Sequence, residues 1–244
     1  MDLEPDLELQ VAVAKVSKYA VSESGDTVEV IERPHGGLSV VLVDGQRSGH
    51  SAKAISNIVA RKAVSLLADG VRDGAAARAA HDYLRTLRGG QVSATLNIVS
   101  VDLGTRTIVI SRNSHCPVVV VHGQQDQLTL LDAPSTAIGV RVRTRPVITE
   151  LPVEQDLHAV IFTDGLLTAG ERNGHPWDPV AFVKEWLAAE PREGPARALA
   201  DALLARAVEL DQNRPNDDMS IVVFSVVPRQ HLDKVRRMSV RFPI

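Results

Sequence analysis

Apolar and polar positions along the chain fall into short blocks whose period changes from two to nearly four and back again. Residues 7–16 carry Leu7, Leu9, Val11 and Val13 at alternate positions, the period of a half-buried strand. Residues 27–31 are rich in β-branched side chains, and residues 38–43 are almost wholly apolar, as a strand covered on both faces would be. Across residues 52–68 the period becomes helical: Ile55, Ile58, Val59, Ala63, Leu66 and Leu67 share a stripe, and Gly70 ends it. An Ala-rich helix follows over residues 73–87, stopped by Gly89 and Gly90. Strand patterns return at residues 93–102, 106–111, 117–122, 127–131 and 145–150. Residues 157–163 form another apolar strand, ending in Asp164-Gly165. Asp178-Pro179 is an N-cap and first-turn signal for a helix through Leu187. Residues 195–210 read as an amphipathic helix and residues 219–227 as a last apolar strand.

The order is strands, two helices, many strands, two helices, one strand. Strand and helix do not alternate, which argues against a doubly wound or barrel fold. The pattern predicts an α+β protein in which two antiparallel sheets are each covered by a helix pair. We expect one compact domain over residues 1–228 and a short basic tail over residues 229–244. The tail carries Lys234, Arg236, Arg237 and Arg241 and reads as a solvated segment.

Composition narrows the function classes. The 244 residues are 44% apolar and 23% charged, an ordinary globular balance. A formal charge of −3 argues against a basic nucleic-acid-binding face, and 3% aromatics leave few stacking platforms. The single cysteine, Cys116, excludes an internal disulfide framework and a Cys-rich zinc site. No apolar run approaches the ~20 residues of a membrane-spanning helix, and the acidic start is unlike a secretory signal, so a cytoplasmic protein is expected. No phosphate-binding glycine loop, dinucleotide fingerprint or Gly-x-Ser-x-Gly elbow occurs.

Several carboxylates share one context. Asp44 ends the apolar run 38–43 and precedes Gly45; Asp164 ends another and precedes Gly165; Asp217 and Asp218 immediately precede the last strand. Carboxylates at the rim of a core repel one another unless they protonate, pair or bind a cation. Their hard oxygens suit Mg²⁺ or Mn²⁺. A lone Asp-Gly after a strand is most often a simple turn, so the signal lies in its repetition.

These residues also carry a resemblance. Asp44-Gly45-Gln46-Arg47-Ser48-Gly49-His50-Ser51-Ala52 resembles the Asp-Gly-x-Gly-x-Gly-x-x-Ala motif of the metal-dependent protein phosphatases, the PPM family. The likeness is nearest to the bacterial sporulation and stress-response branch (SpoIIE, RsbU and RsbX-like). Ser24-Gly25-Asp26 is similar to that branch's Gly-Gly-Asp. Residues 111–117 are loosely similar to its Ser-x-Gly-His-x-Pro, and residues 136–140 to its Pro-Leu-Gly-Val. Phe162-Thr163-Asp164-Gly165 matches its Tyr-Thr-Asp-Gly, and Asp217-Asp218-Met219-Ser220 its terminal Asp-Asp-x-Ser/Thr. The motifs run in the family's order from about Gly25 to Val226.

The resemblance implies a four-layer αββα sandwich with two Mn²⁺ or Mg²⁺ ions between the sheets. By position, Asp44 would bridge the ions and Gly45 would offer its carbonyl. Asp26 would serve one metal, Asp164 and Asp217 the other, and Asp218 would stand behind them. Asp44, Asp164 and Asp217 are the expected catalytic set, acting through a metal-activated water rather than a protein nucleophile. The implied activity is serine/threonine phosphatase action on a bacterial signalling protein, such as a phosphorylated anti-anti-sigma factor, without nucleic acid or membrane. Arg47 departs from the motif, standing where the family has its second glycine. Its guanidinium suits bidentate binding of substrate phosphate; a solvated loop residue or an ion pair to a carboxylate are the other readings. Gln46 replaces the His that eukaryotic relatives use towards the leaving group. His50 reads as a helix-start residue and His115 as a strand-end hydrogen-bonding residue. The alternative function is a weak or inactive pseudophosphatase serving as a regulatory binding module.

Overall fold

The computed structural model describes residues 6–123, 127–189, 194–229, 233 and 235–241. Among these residues, ten strands form two antiparallel five-stranded sheets. The first holds β1 (Leu7–Val16), β6 (Val118–His122), β7 (Gln127–Leu131), β9 (Leu157–Phe162) and β10 (Met219–Pro228), in the order β1-β10-β9-β6-β7. The second holds β2 (Asp26–Glu32), β3 (Leu38–Gly45), β4 (Ala94–Asp102), β5 (Thr107–Asn113) and β8 (Val147–Pro152), in the order β2-β3-β4-β5-β8. The helices are α1 (Gly49–Ala68), α2 (Asp73–Leu87), a single turn α3 (Asp164–Leu167), α4 (Pro179–Ala188) and α5 (Pro195–Leu210).

The pleat of β3 explains the layering. Val40 and Leu42 point into the space between the sheets, where they meet Val99, Ile161, Val222 and Phe224. Val41 and Val43 point the other way, against Val59, Ala63 and Leu67 of α1 and Ala77 and Leu84 of α2. Strand β10 repeats the device: Val222 and Phe224 face the partner sheet, while Ile221 and Val223 face Leu199 and Leu203 of α5. A strand buried on both faces must be apolar at every position, which is why 38–43 and 219–227 lack alternation. The result is the four-layer αββα arrangement expected.

The expected elements are all present among the described residues, with shifted ends. Helix α1 begins at Gly49, ahead of Ala52, because its exposed first turn carries no apolar stripe to read. Strand β8 lies at 147–152, not 145–150; as an edge strand with an alternating half-buried pattern it has a weak signature. Val13 shares a face with Leu7, Leu9 and Val11 but is 44% exposed, since β1 is the edge of its sheet and only the first three reach the inter-sheet core. In the tail, Arg236 reaches Glu32 on β2 at 3.2 Å, while Lys234 lies outside the described residues.

Candidate metal centre

The acidic residues gather where β3 and β9 end and where β2 and β10 begin. On β3 the inter-sheet face runs Val40, Leu42, Asp44, so the pleat that buries two aliphatic groups aims the next side chain at the rim of the same interface. Antiparallel register sets Asp26 of β2 directly opposite Asp44. From the other sheet, Asp164 opens α3 just past β9, and Asp217 stands just before β10. Asp44, Asp164 and Asp217 line one open cleft of about 510 Å³, together with Gly45, Arg47, Lys18, Thr95 and His115. Asp26 lies behind them, 1% exposed.

Burial pushes the Asp44 carboxyl up to about 9, and repulsion from Asp26, Asp164 and Asp217 adds to it. Burial also raises Asp26, to about 6, against the opposing hydrogen bonds of Ser220 and Thr163 and the charge of Lys15. Asp217 is raised, chiefly by burial. A buried Asp26 beside the half-buried Asp44, Asp164 and Asp217 is an unfavourable set of like charges unless positive charge joins it. Asp26 sharpens the point. Its Oδ2 accepts from the Thr163 hydroxyl at 3.0 Å across the two sheets, whereas its Oδ1 is buried with no hydrogen-bond partner. Among the described residues no three His, Cys, Asp or Glu side chains form a ready-made metal cage. The set is an electrostatic cluster of hard oxygen donors, which fits divalent Mg²⁺ or Mn²⁺ better than a soft metal.

Both Asp-Gly dipeptides have a packing reason as well. A Cβ at Gly45 would run into the Ala52 carbonyl of α1, and one at Gly165 into the Asp218 carbonyl before β10. Each glycine lets a neighbouring backbone close against an acidic strand end. Asp218, expected to stand behind the ligands, is 4% exposed and accepts from the backbone N–H of Lys18 at 3.0 Å and of Gly25 at 2.8 Å. It fastens the segment after β1 to the mouth of β10.

Arg47 is exposed on the cleft wall, and it makes no ion pair among the described residues. Its φ of +77° lies in the left-handed region that glycine favours. His115 faces the cleft, with Nε2 3.6 Å from Asp164 Oδ2. His50 is exposed and pairs with Glu23 at 3.1 Å, away from the cleft. The Cys116 thiol is buried and pushed up to about 12, first by burial and then by Asp164, which favours the protonated, inert form.

Three lysines escaped the sequence reading. Lys15 Nζ and Lys53 Nζ both donate to the Asp26 carbonyl, at 2.5 and 2.6 Å, and Lys18 lines the cleft. Burial, then Lys53, lowers Lys15 to about 8. The available signal was a lysine on the otherwise apolar face of β1 that runs through Leu7, Leu9 and Val11.

The sequence matches the family model for stage II sporulation protein E (SpoIIE) over residues 34–227. No curated protein matches it. The PP2C phosphatase domain of SpoIIE from Bacillus subtilis, solved with a fragment of its regulatory domain, superposes with a TM-score of 0.79 at 17% identity over 93% of this chain. This chain spans 66% of that SpoIIE chain's length. The SiaA-PP2C domain of Pseudomonas aeruginosa gives a TM-score of 0.71 at 20% identity, covering 88% of this chain and 85% of that one. The catalytic domain of the serine/threonine phosphatase PstP, solved with two manganese ions, gives 0.65 at 16% identity, covering 91% and 99%.

Proposed function

The chain belongs to the SpoIIE family of PPM-type serine/threonine phosphatases, and from that premise we propose that it hydrolyses phosphoserine or phosphothreonine on a signalling protein in the cytoplasm. The catalytic unit is residues 1–228, with 229–244 as an appended tail. The observation that carries the reading is the meeting of Asp44, Asp164 and Asp217 in one cleft with Asp26 behind them, its Oδ1 unpartnered.

Asp44, Asp26, Asp164 and Asp217, with the Gly45 carbonyl, would hold the two ions. When bound, Mn²⁺ or Mg²⁺ supplies charge neutralisation and an activated water for in-line attack on the phosphoryl group. The chain's own residues do the rest. His115 lines the cleft with Nε2 3.6 Å from Asp164 Oδ2, where its imidazole can hydrogen-bond the leaving oxygen. Arg47 and Lys18 add positive charge on the wall that a phosphate dianion would meet. The partner is a phosphorylated protein of the anti-anti-sigma kind.

The test is hydrolysis of p-nitrophenyl phosphate by purified protein. Turnover should need Mn²⁺ and stop with EDTA, and Asp164→Asn should lower it by at least about 10²-fold, since even supporting residues of metal sites cost 10–100-fold. Metal-independent turnover that survives the substitution would overturn the mechanism. Calorimetry that finds no Mn²⁺ uptake at millimolar metal would leave a binding module instead, a reading that Arg47 in a glycine's conformation favours.

A further inference from the structure

Beside the cleft runs a strip of the opposite charge to the molecule as a whole. Residues 140–145 read Val-Arg-Val-Arg-Thr-Arg, and no acidic residue occurs from Ala133 to Thr149. Arg141, Arg143 and Arg145 are exposed and make no ion pair among the described residues. Between them Val142 is 71% exposed and Val140 47%. The C-terminal end of α2 flanks the strip with exposed Leu87, Arg88 and, beyond it, Gly90, which sits against the Val140 carbonyl.

The strip continues the cleft wall. Ala137 and Ala94 line the cleft, and Ile138 pairs with Ala94 through two backbone hydrogen bonds of 2.8 and 3.1 Å. Arg141 is four residues on, so its Cα lies within about 14 Å of Ala137. The segment is also held in shape from beneath. The Asn113 amide donates to the carbonyls of Thr136 and Arg145, at 3.1 and 3.3 Å, and so closes the loop at both ends. Ser135 donates to the Arg112 carbonyl at 2.8 Å, the Arg112 guanidinium donates to the Ala133 carbonyl, and the Gly139 N–H donates to His81 Nδ1 at 3.0 Å. A backbone fixed in this way loses little freedom on binding.

Resting on the phosphatase reading above, we infer that residues 140–145 are a docking strip for an acidic surface of the phosphoprotein substrate, next to the residue being dephosphorylated. Arginine interleaved with exposed aliphatic groups is the composition of a protein-binding patch. Guanidinium groups on a rigid loop pair well with carboxylates, and a chain of net charge −3 gains most there by lowering local repulsion towards an acidic partner. The aliphatic groups give such a surface more than charge alone, which separates it from a contact read only by phosphate.

The test is fluorescence anisotropy with the full chain and two labelled phosphoserine peptides, one flanked by Glu and Asp, the other by Lys. The acidic peptide should bind more tightly, and added salt should weaken it. Arg141→Gln, Arg143→Gln and Arg145→Gln together should weaken it by about tenfold, and the three Arg→Glu changes should reverse the peptide preference, with circular dichroism showing each variant folded. Equal binding of the two peptides, or an undiminished preference in the folded Gln variant, would overturn the inference. So would tighter binding of phosphatidylglycerol vesicles or of an RNA oligonucleotide to the same arginines. Failure of p-nitrophenyl phosphate turnover with the peptide preference intact would instead count against the phosphatase chemistry alone.

Discussion

The middle of the inter-sheet layer and its rim are built from the same strands and obey opposite rules. In the middle, Val40, Leu42, Ile161, Val222 and Phe224 close a dry core in which every group gains by leaving water. One step further along β3 the same face presents Asp44, and β2 begins with Asp26, opposite Asp44 and nearly free of solvent. Like charges set directly across a ladder destabilise it. The apolar region therefore supplies stability, and the rim spends part of it to hold carboxylates where water cannot easily compensate them. The two regions should respond in opposite directions to substitution.

The largest effect on stability should come from the dry region. Phe224→Ala should lower unfolding free energy by about 3–5 kcal/mol, the range for emptying a buried aromatic site, as measured by urea denaturation. A loss below about 1 kcal/mol would mean that the layer is not the core.

At the rim, Asp44→Asn should stabilise the metal-free protein. The folded Asp44 carboxyl titrates at about 9, above the unfolded range of about 3.9. The folded state thus holds a proton that the unfolded state has lost, and stability falls as pH rises from about 4 through about 9. Asn cannot ionise, so the variant should lose much of that slope. Relief of roughly 1–2 kcal/mol corresponds to a rise of about 2–8 °C in Tm at pH 8 in EDTA, with a smaller gain at pH 5. Thermal melts at the two pH values decide it; a lower Tm at pH 8 would contradict the electrostatic account. The smallest change is Arg47→Gly, which should add roughly 0.5–1 kcal/mol by freeing a left-handed backbone of its side chain, less the cost of a more flexible unfolded chain.

Much of this was legible along the chain. The run 38–43 announced a strand covered on both faces, the stripe through Ile55, Val59 and Ala63 announced the helix that covers it, and Asp-Gly at two strand ends marked the rim. These are local signals, because a pleat or a helical turn repeats over a few residues. Helix α3 went unread because a single turn is shorter than the period needed to recognise it. The lysines at 18 and 53 went unread because each looks like an ordinary surface residue until the fold brings it against the cleft or Asp26. His115 read as a strand-end group, since nothing local says that Asp164, almost fifty residues later, will stand beside it.

What the sequence by itself determined is the set of periodicities and strand-end carboxylates, because burial on one face or two dictates which residue types each position can hold. What only the tertiary structure decided is which of those carboxylates meet. Register across β2 and β3 sets Asp26 against Asp44, and the stacking of two sheets brings Asp164 and Asp217 to the same cleft. Both depend on distances between segments far apart in the chain, and those distances are set by the packing of the whole core.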